Sequence, residues 1–205
     1  MQTPQPSPGP IAKTALRDQL VTARNRRSLA EIGDAARDLA AHLLACDEVR
    51  RAATVAAYVA VGTEPGTAPL LAALRDAGKR VILPVVLPGN DLDWAVHTGD
   101  AGLVPARFGL LEPAGPRLGV DAIATPDVVL VPGLAVDSAG FRLGRGGGCY
   151  DRALARVPVG TFTCVLLYDD EVGRDIPVEP HDLPVTAAVS PSGLHRFQGR
   201  FQGRF

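Results

Sequence analysis

The sequence predicts an α/β fold built on a largely parallel sheet. Three observations support this prediction: an ordinary globular composition, short apolar runs bounded by turn residues, and a strand–helix–strand order in the first half. With 205 residues and 46% hydrophobic side chains, the chain can bury the core of one such domain. We therefore expect a single α/β domain over residues 11–196.

The two ends of the chain contain little that could be buried. Residues 1–10 hold four prolines and no aromatic residue, which predicts a flexible leader. Residues 197–205 contain FQGR twice, too few copies for a solenoid, and we assign them to a C-terminal tail without a predicted role.

Two helices are predicted before the first strand. Apolar residues recur at helical spacing from Ala12 to Leu20, with basic side chains between them. Ser28 and Glu31 then stand in the relation of a capping box, which predicts the start of a second helix. Its apolar stripe runs from Ile32 to Leu43.

An apolar run at residues 54–61 is too short for a buried helix and is predicted to be a strand. Thr67 is expected to cap the helix that follows, and residues 80–86 form the next strand. This order indicates a parallel crossover, in which ligands gather beyond the carboxyl ends of the strands. Glu64 lies in such a loop, where a ligand contact and an ordinary turn position are both open interpretations.

Further strands are predicted in the rest of the chain, at residues 91–96, 127–133, 162–168 and 185–190. The glycine- and proline-rich stretch that ends at residue 126 is expected to consist mostly of connections.

Residues 141–152, FRLGRGGGCYDR, follow a predicted buried strand and lead into a predicted helix. Successive N–H groups in a glycine-rich turn form a concave anion site, and a helix N-terminus adds about half a positive charge. The guanidinium groups of Arg142 and Arg145 match phosphate oxygens in pairs. Neither the P-loop nor the dinucleotide-binding fingerprint is present, so a mobile surface loop is the alternative to a phosphate site.

Asp151 and Asp182 are the candidate metal ligands. A nucleotide phosphate usually arrives with Mg²⁺, which takes one or two protein carboxylates and keeps most of its waters. Asp151 lies at the exit of the glycine loop, whereas Asp182 lies between two prolines, where a turn role is the simpler interpretation. Lys13 and Arg17 are four residues apart on one helix face, which by itself indicates only a solvated basic surface.

Charge and cysteine usage restrict the partners and the compartment. The formal net charge of −1 provides no basic field for nucleic acid or for an anionic membrane. The 3 cysteines have unrelated spacings that match neither a disulfide framework nor a metal knuckle, which favours a reducing compartment. No stretch approaches a spanning helix. We expect a cytoplasmic monomer that binds neither nucleic acid nor membranes.

Residues 131–152 resemble the signature of the 5-formyltetrahydrofolate cyclo-ligase family, whose members are also called 5,10-methenyltetrahydrofolate synthetases. Lys13-x-x-Leu16-Arg17 resembles the family's N-terminal K-x-x-L-R element. Three further segments resemble family elements in the same order, namely GTEPGT at 62–67, RFGLLEP at 107–113 and VEPHDLP at 178–184.

The resemblance implies a three-layer α/β sandwich with a mixed, largely parallel sheet flanked by helices. It implies ATP- and Mg²⁺-dependent cyclisation of 5-formyltetrahydrofolate to 5,10-methenyltetrahydrofolate, with Arg142 and Arg145 as catalytic residues. The implied ATP contacts are Lys13, Arg17, Arg142, Gly144, Arg145, Gly146, Gly147, Gly148 and Tyr150. The implied folate contacts are Arg17, Glu64, Gly146, Gly147 and Cys149, and the implied metal ligands are Asp151 and Asp182.

One position departs from the family pattern. Members commonly carry two aromatic residues before the aspartate, whereas Cys149 and Tyr150 stand there in this sequence. The departure leaves a non-catalytic nucleotide or folate binder as the alternative function. A kinase-like enzyme that uses the same nucleotide site for another carboxylate or amide is a third possibility.

Overall fold

The computed structural model describes residues 10–179 and 182–197, so the predicted leader and tail lie almost entirely outside the described residues. The α-helices in the described part are α1 Pro10–Arg24, α2 Leu29–Ala45, α3 Asp47–Arg51, α4 Ala68–Asp76 and α5 Cys149–Leu154. The strands are β1 Thr54–Ala56, β2 Arg80–Val86, β3 Leu92–Val96, β4 Leu103–Pro105, β5 Leu111–Pro113, β6 Val128–Pro132, β7 Ala135–Val136, β8 Arg142–Leu143, β9 Phe162–Leu166, β10 Ala187–Ser190 and β11 Gly193–Arg196.

The described residues form a seven-stranded sheet with the order β11-β10-β9-β6-β1-β2-β3. Its five central strands, from β10 to β2, run parallel to one another. The two edge strands, β3 and β11, pair antiparallel with their neighbours. The sheet is therefore mixed and largely parallel, which confirms the predicted α/β fold.

Alternate side chains of β6 enter two separate cores on opposite faces of the sheet. Val128 and Leu130 pack with α2 and α4 on one face. Val129 and Val131 pack on the other face with Trp94 of β3 and with residues of α5. Because both faces are covered, the central strands are apolar throughout rather than alternating. The result is the three-layer arrangement that the family resemblance implied.

A smaller core places α1 beside the glycine loop. Leu20 of α1 packs against Leu143 of β8 and Ala135 of β7, the two strands of a short hairpin that precedes the glycine loop. The sequence predicted neither this hairpin nor the second one, β4–β5, which lies in the stretch interpreted as connections. Strand β11 and helix α3 were also missed.

The first strand is shorter than predicted because, beyond Ala56, hydrogen bonds to side chains take the place of backbone pairing with a neighbouring strand. The structure ends β1 at Ala56 rather than at residue 61. Beyond it, Thr67 Oγ1 donates to the Tyr58 carbonyl at 2.8 Å and accepts the Ala60 N–H at 2.9 Å. Thr67 stands at the N-cap position of α4, as expected, but its side chain makes no capping hydrogen bond to that helix. The hydroxyl instead fixes the loop that leaves β1.

The capping box at the start of α2 is confirmed and gives a stability prediction. The Glu31 N–H donates to Ser28 Oγ at 3.2 Å, and the Ser28 N–H donates to Glu31 Oε2 at 2.7 Å. Ser28→Ala should lower the free energy of unfolding by about 1 kcal/mol, because an N-terminal helix donor loses its acceptor. Urea denaturation measures this, with the exposed Ser138→Ala as control. Equal effects of the two substitutions would contradict the cap.

Candidate active site

A cavity of about 650 Å³ opens at the carboxyl ends of the parallel strands. Its walls come from the loop after β1, the ends of β2 and β6, the glycine loop, α1, and the side chains of Glu179 and Asp182. The residues that the sequence analysis assigned to ATP, folate or Mg²⁺ all line it: Lys13, Arg17, Glu64, Arg142, Gly144, Arg145, Gly146, Gly147, Gly148, Cys149, Tyr150, Asp151 and Asp182. Which ligand each residue contacts stays a prediction, but the structure does bring all of these residues to one cavity.

The glycine loop owes its path to residues with positive φ. Gly146 has φ +98° and Gly148 has φ +68°, a region of backbone conformation that other residues rarely adopt. Gly148 also precedes α5, which begins at Cys149 and is 6 residues long. So short a helix sums few peptide dipoles, so its N-terminus contributes less positive charge than expected. The arginines must therefore supply most of the positive charge in this wall of the cavity.

Arg142 is a buried cation at the cavity wall. Its side chain is 3% exposed and its Nη2 donates to Asp151 Oδ1 at 2.7 Å. Burial lowers the pKa of Arg142, although the nearby Asp151 carboxylate opposes this shift. Among the described residues, its Nε has no hydrogen-bond partner. This Nε is itself buried, so a bound anion would reach it only if the side chain moved.

Arg145 and Glu64 form an ion pair between two loops of the cavity. Arg145 Nε lies 3.2 Å from Glu64 Oε1, and the arginine side chain is 54% exposed whereas the glutamate side chain is 9% exposed. Glu64 Oε2 accepts the N–H of Val61 at 3.0 Å. This bond holds the carboxylate at the end of the loop after β1.

Helix α1 contributes its two predicted basic residues to the same cavity. Lys13 is buried, and its Nζ lies 2.8 Å from Asp182 Oδ2 and 3.0 Å from Glu179 Oε2. Burial lowers the pKa of Lys13, but the hydrogen bonds to both carboxylates outweigh it and raise the pKa above its ordinary value. Arg17 Nε donates to the Gly144 carbonyl at 2.9 Å and so ties the helix to the glycine loop. These contacts exclude a merely solvated basic face at Lys13.

The carboxylates at the cavity fit a magnesium ion in their chemistry. Asp151 and Asp182 both line the cavity and offer the oxygen ligands that Mg²⁺ prefers. In the part of the chain that the structure describes, no three His, Cys, Asp or Glu side chains gather into a metal-binding group. Mg²⁺ needs only one or two carboxylates when a phosphate supplies further oxygens, so this donor set is sufficient.

Several lining residues were not assigned a role from the sequence. Glu179 shares Lys13 with Asp182, and its place in the same acidic turn is the signal that could have identified it.

Phe108 is 77% exposed at φ +61° and lines the cavity within the RFGLLEP segment. Glu112 of that segment accepts the Val86 N–H at 2.9 Å, which holds the segment against β2. Tyr58 also lines the cavity, but it lies within the apolar run at residues 54–61 and carries no signal that separates it from a core residue.

Cys149 is predicted to be a weak nucleophile. Burial raises the pKa of its thiol, so the reactive thiolate is scarce at neutral pH. Its modification by a thiol reagent should accelerate about tenfold per pH unit between about pH 7 and pH 8, because the thiolate fraction rises in proportion to hydroxide below the pKa. Peptide mapping separates Cys149 from the buried Cys46 and Cys164. A rate that does not change over this range would contradict the assignment.

A comparison with protein families shows which family the chain belongs to. A model described as the 5-formyltetrahydrofolate cyclo-ligase family matches residues 11–191. The chain belongs to this family. It is therefore an enzyme, a ligase of folate metabolism whose substrate is a small folate molecule.

Individual cyclo-ligases resemble the chain over most of its length. A 5-formyltetrahydrofolate cyclo-ligase of Mycolicibacterium smegmatis is 45% identical over 145 residues, which cover 67% of this chain and 73% of the relative. One from Escherichia coli K12 is 36% identical over 162 residues, covering 75% of this chain and 86% of the relative.

Solved structures share the fold. The NMR structure of Aquifex aeolicus 5,10-methenyltetrahydrofolate synthetase has a TM-score of 0.78 at 29% identity, covering 94% of this chain and 95% of that one. A 5,10-methenyltetrahydrofolate synthetase from Mycoplasma pneumoniae has a TM-score of 0.70 at 19% identity, covering 86% of this chain and 97% of that one, which supports the fold. Separately, none of the described helices is long and apolar enough to span a membrane.

Proposed function

We propose that this cyclo-ligase couples cleavage of Mg²⁺-ATP to ADP and phosphate with the closure of 5-formyltetrahydrofolate into 5,10-methenyltetrahydrofolate. The observation that carries the proposal is the meeting, in one cavity, of a basic glycine loop, a buried lysine from α1 and two aspartates. Cations and carboxylates in this combination suit a magnesium-bound polyphosphate, because each kind of charge has a complement on the ligand.

The nucleotide is assigned to the glycine loop and α1. Its phosphates would be held by the backbone of Gly146–Gly148 and by the side chains of Arg142, Arg145, Lys13 and Arg17. Asp151 and Asp182 would hold Mg²⁺, which neutralises charge on the phosphate oxygens when it is bound. Lys13 and Arg142, which pair with these aspartates in the structure, would then turn to the phosphates.

The folate is assigned to the loop after β1 and the RFGLLEP segment. Glu64 offers a nearly buried carboxylate, which suits the N–H groups of a pterin ring. Phe108 offers an exposed aromatic face, and Leu110 and Leu111 add apolar lining. A flat heteroaromatic ring with polar edges matches this combination of surfaces.

The chemistry requires two displacements. The formyl oxygen attacks the γ-phosphorus, the bond to the bridging oxygen breaks, and ADP leaves with that electron pair. The neighbouring ring-side amine then attacks the formyl carbon, loses its proton, and expels the oxygen as inorganic phosphate. Arg142 and Arg145 stabilise charge on the transferred group, while the cavity holds the reacting atoms together. No covalent enzyme intermediate is needed.

A turnover assay tests the proposal. Purified protein with 5-formyltetrahydrofolate and Mg²⁺-ATP should form the methenyl product, seen by its near-ultraviolet absorbance, with one ADP for each product molecule. Chelation of Mg²⁺ should abolish both signals. Binding of folate without product would favour the non-catalytic alternative, and ADP formation without methenyl product would favour a kinase-like enzyme. Either result would overturn the proposal.

We further infer that the chain acts in the cytoplasm as a monomer, without nucleic-acid or membrane partners. The small net charge of −1 supports the absence of such anionic partners. Light scattering of the purified protein during gel filtration tests the monomer, and a dimer mass would contradict it.

A further inference from the structure

The Arg145–Glu64 ion pair connects the two halves of the proposed site. Glu64 belongs to the loop after β1, where the folate is assigned, and Arg145 belongs to the glycine loop, where the phosphates are assigned. Their side chains meet at 3.2 Å and both line the cavity. In this structure each group is therefore engaged by the other.

Each oxygen of the Glu64 carboxylate has a partner. Arg145 Nε engages Oε1 of Glu64, while Oε2 accepts the Val61 N–H at 3.0 Å. A folate N–H group that binds Oε1 must therefore displace or share the guanidinium. The arginine, with its side chain 54% exposed, is the mobile partner, whereas the carboxylate is 9% exposed and held by the backbone.

Nucleotide binding supplies the displacing charge. A phosphate group attracts the guanidinium more strongly than a single carboxylate does, because it offers more negative charge and more oxygens. When Arg145 turns to the phosphate, Glu64 becomes a nearly buried carboxylate without its cation, a costly state. The N–H donors of a pterin ring relieve that state. Folate binding is then more favourable than in the nucleotide-free protein.

We propose that the Arg145–Glu64 pair acts as a latch that makes nucleotide and folate binding mutually reinforcing. The inference rests on the proposed function and adds the coupling between its two substrates. Since binding free energies are linked, folate must strengthen nucleotide binding by the same factor. An ion pair with one half-exposed partner supports a factor of about three to ten.

Calorimetric titration tests the latch without turnover. The probes are 5-formyltetrahydrofolate and the Mg²⁺ complex of AMP-PNP, an ATP analogue that does not transfer its γ-phosphate. In the unmodified protein, saturating AMP-PNP should lower the Kd for the folate by about three- to tenfold. The folate should lower the Kd for AMP-PNP by an equal factor.

Variants of the pair separate the latch from direct contact between the two ligands. Arg145→Ala should bind folate without nucleotide about as tightly as the unmodified protein binds it with AMP-PNP, and AMP-PNP should add nothing further. Glu64→Gln should bind folate more weakly, again with a coupling factor near one. Arg37→Ala, an exposed arginine on α2 that pairs with Asp34, is the matched control and should keep the full factor.

The possible failures are distinguishable. If both ligands bind but do not affect each other, or if Arg145→Ala keeps the full coupling, the latch is wrong while the proposed function stands. If the unmodified protein binds neither the folate nor AMP-PNP, both the latch and the proposed function are wrong.

Discussion

Arg145→Ala is expected to lower kcat by about 10²–10³-fold, because it deletes a cation that would face the transferred phosphoryl group. This loss corresponds to about 2.7–4 kcal/mol of transition-state stabilisation. The variant should still fold, since the side chain is 54% exposed, but its melting temperature should fall slightly because the nearly buried Glu64 loses its cation. Steady-state kinetics with 5-formyltetrahydrofolate and Mg²⁺-ATP, together with a thermal melt, measures both quantities.

Two further variants distinguish the role of Arg145 from the general effect of losing a charge. Arg37→Ala removes an equal charge on the surface of α2 and should leave kcat unchanged. Arg145→Lys keeps the charge but loses the planar fork, so its kcat should lie between those of the unmodified protein and the alanine variant. If Arg145→Ala keeps its kcat within about twofold, the phosphate role of this side chain must be abandoned.

Arg24→Met is expected to cause the largest loss of stability, about 3–5 kcal/mol. Arg24 makes two hydrogen bonds of 2.7 Å to Glu171, and both side chains are almost completely buried. The substitution leaves a buried carboxylate without its cation, which is more costly than the loss of the attraction itself. Arg24 also donates to the Gly133 carbonyl at 2.6 Å, so it joins α1 to the end of β6.

A double variant isolates the cause of that loss. In Arg24→Met with Glu171→Gln the uncompensated charge is absent, while the amide oxygen can still accept the Tyr168 N–H that Glu171 now accepts at 3.0 Å. The double variant should therefore recover much of the stability. Urea denaturation measures all three unfolding free energies. A single variant within about 1 kcal/mol of the unmodified protein would show that the pair contributes little net stability.

Local features of the fold could be predicted from the sequence because their partners lie within one helical turn or one strand. The Ser28–Glu31 capping box depends on two residues three positions apart, and it forms as predicted. The apolar runs located most strands of the large sheet. Short pairings such as β7–β8 were missed, because strands of two residues have no periodicity to recognise.

The members of the candidate site could be named from the sequence, but their pairings could not. Lys13 bonds to Asp182 across 169 positions, and Arg24 bonds to Glu171 across 147. Such contacts depend on strand order and on how α1 docks, neither of which is encoded in spacing. Phe108 was missed as a lining residue for a related reason, since its exposed side chain gives no burial pattern.

The most direct test of the central claim is a crystal structure of the protein with Mg²⁺ and AMP-PNP. The account predicts that the γ-phosphate lies within hydrogen-bond distance of the backbone N–H groups at Gly146–Gly148. The guanidinium of Arg142 or Arg145 should also contact this phosphate, and Asp151 or Asp182 should face the magnesium. Phosphates bound elsewhere, with this cavity unchanged and the Arg145–Glu64 pair intact, would contradict it.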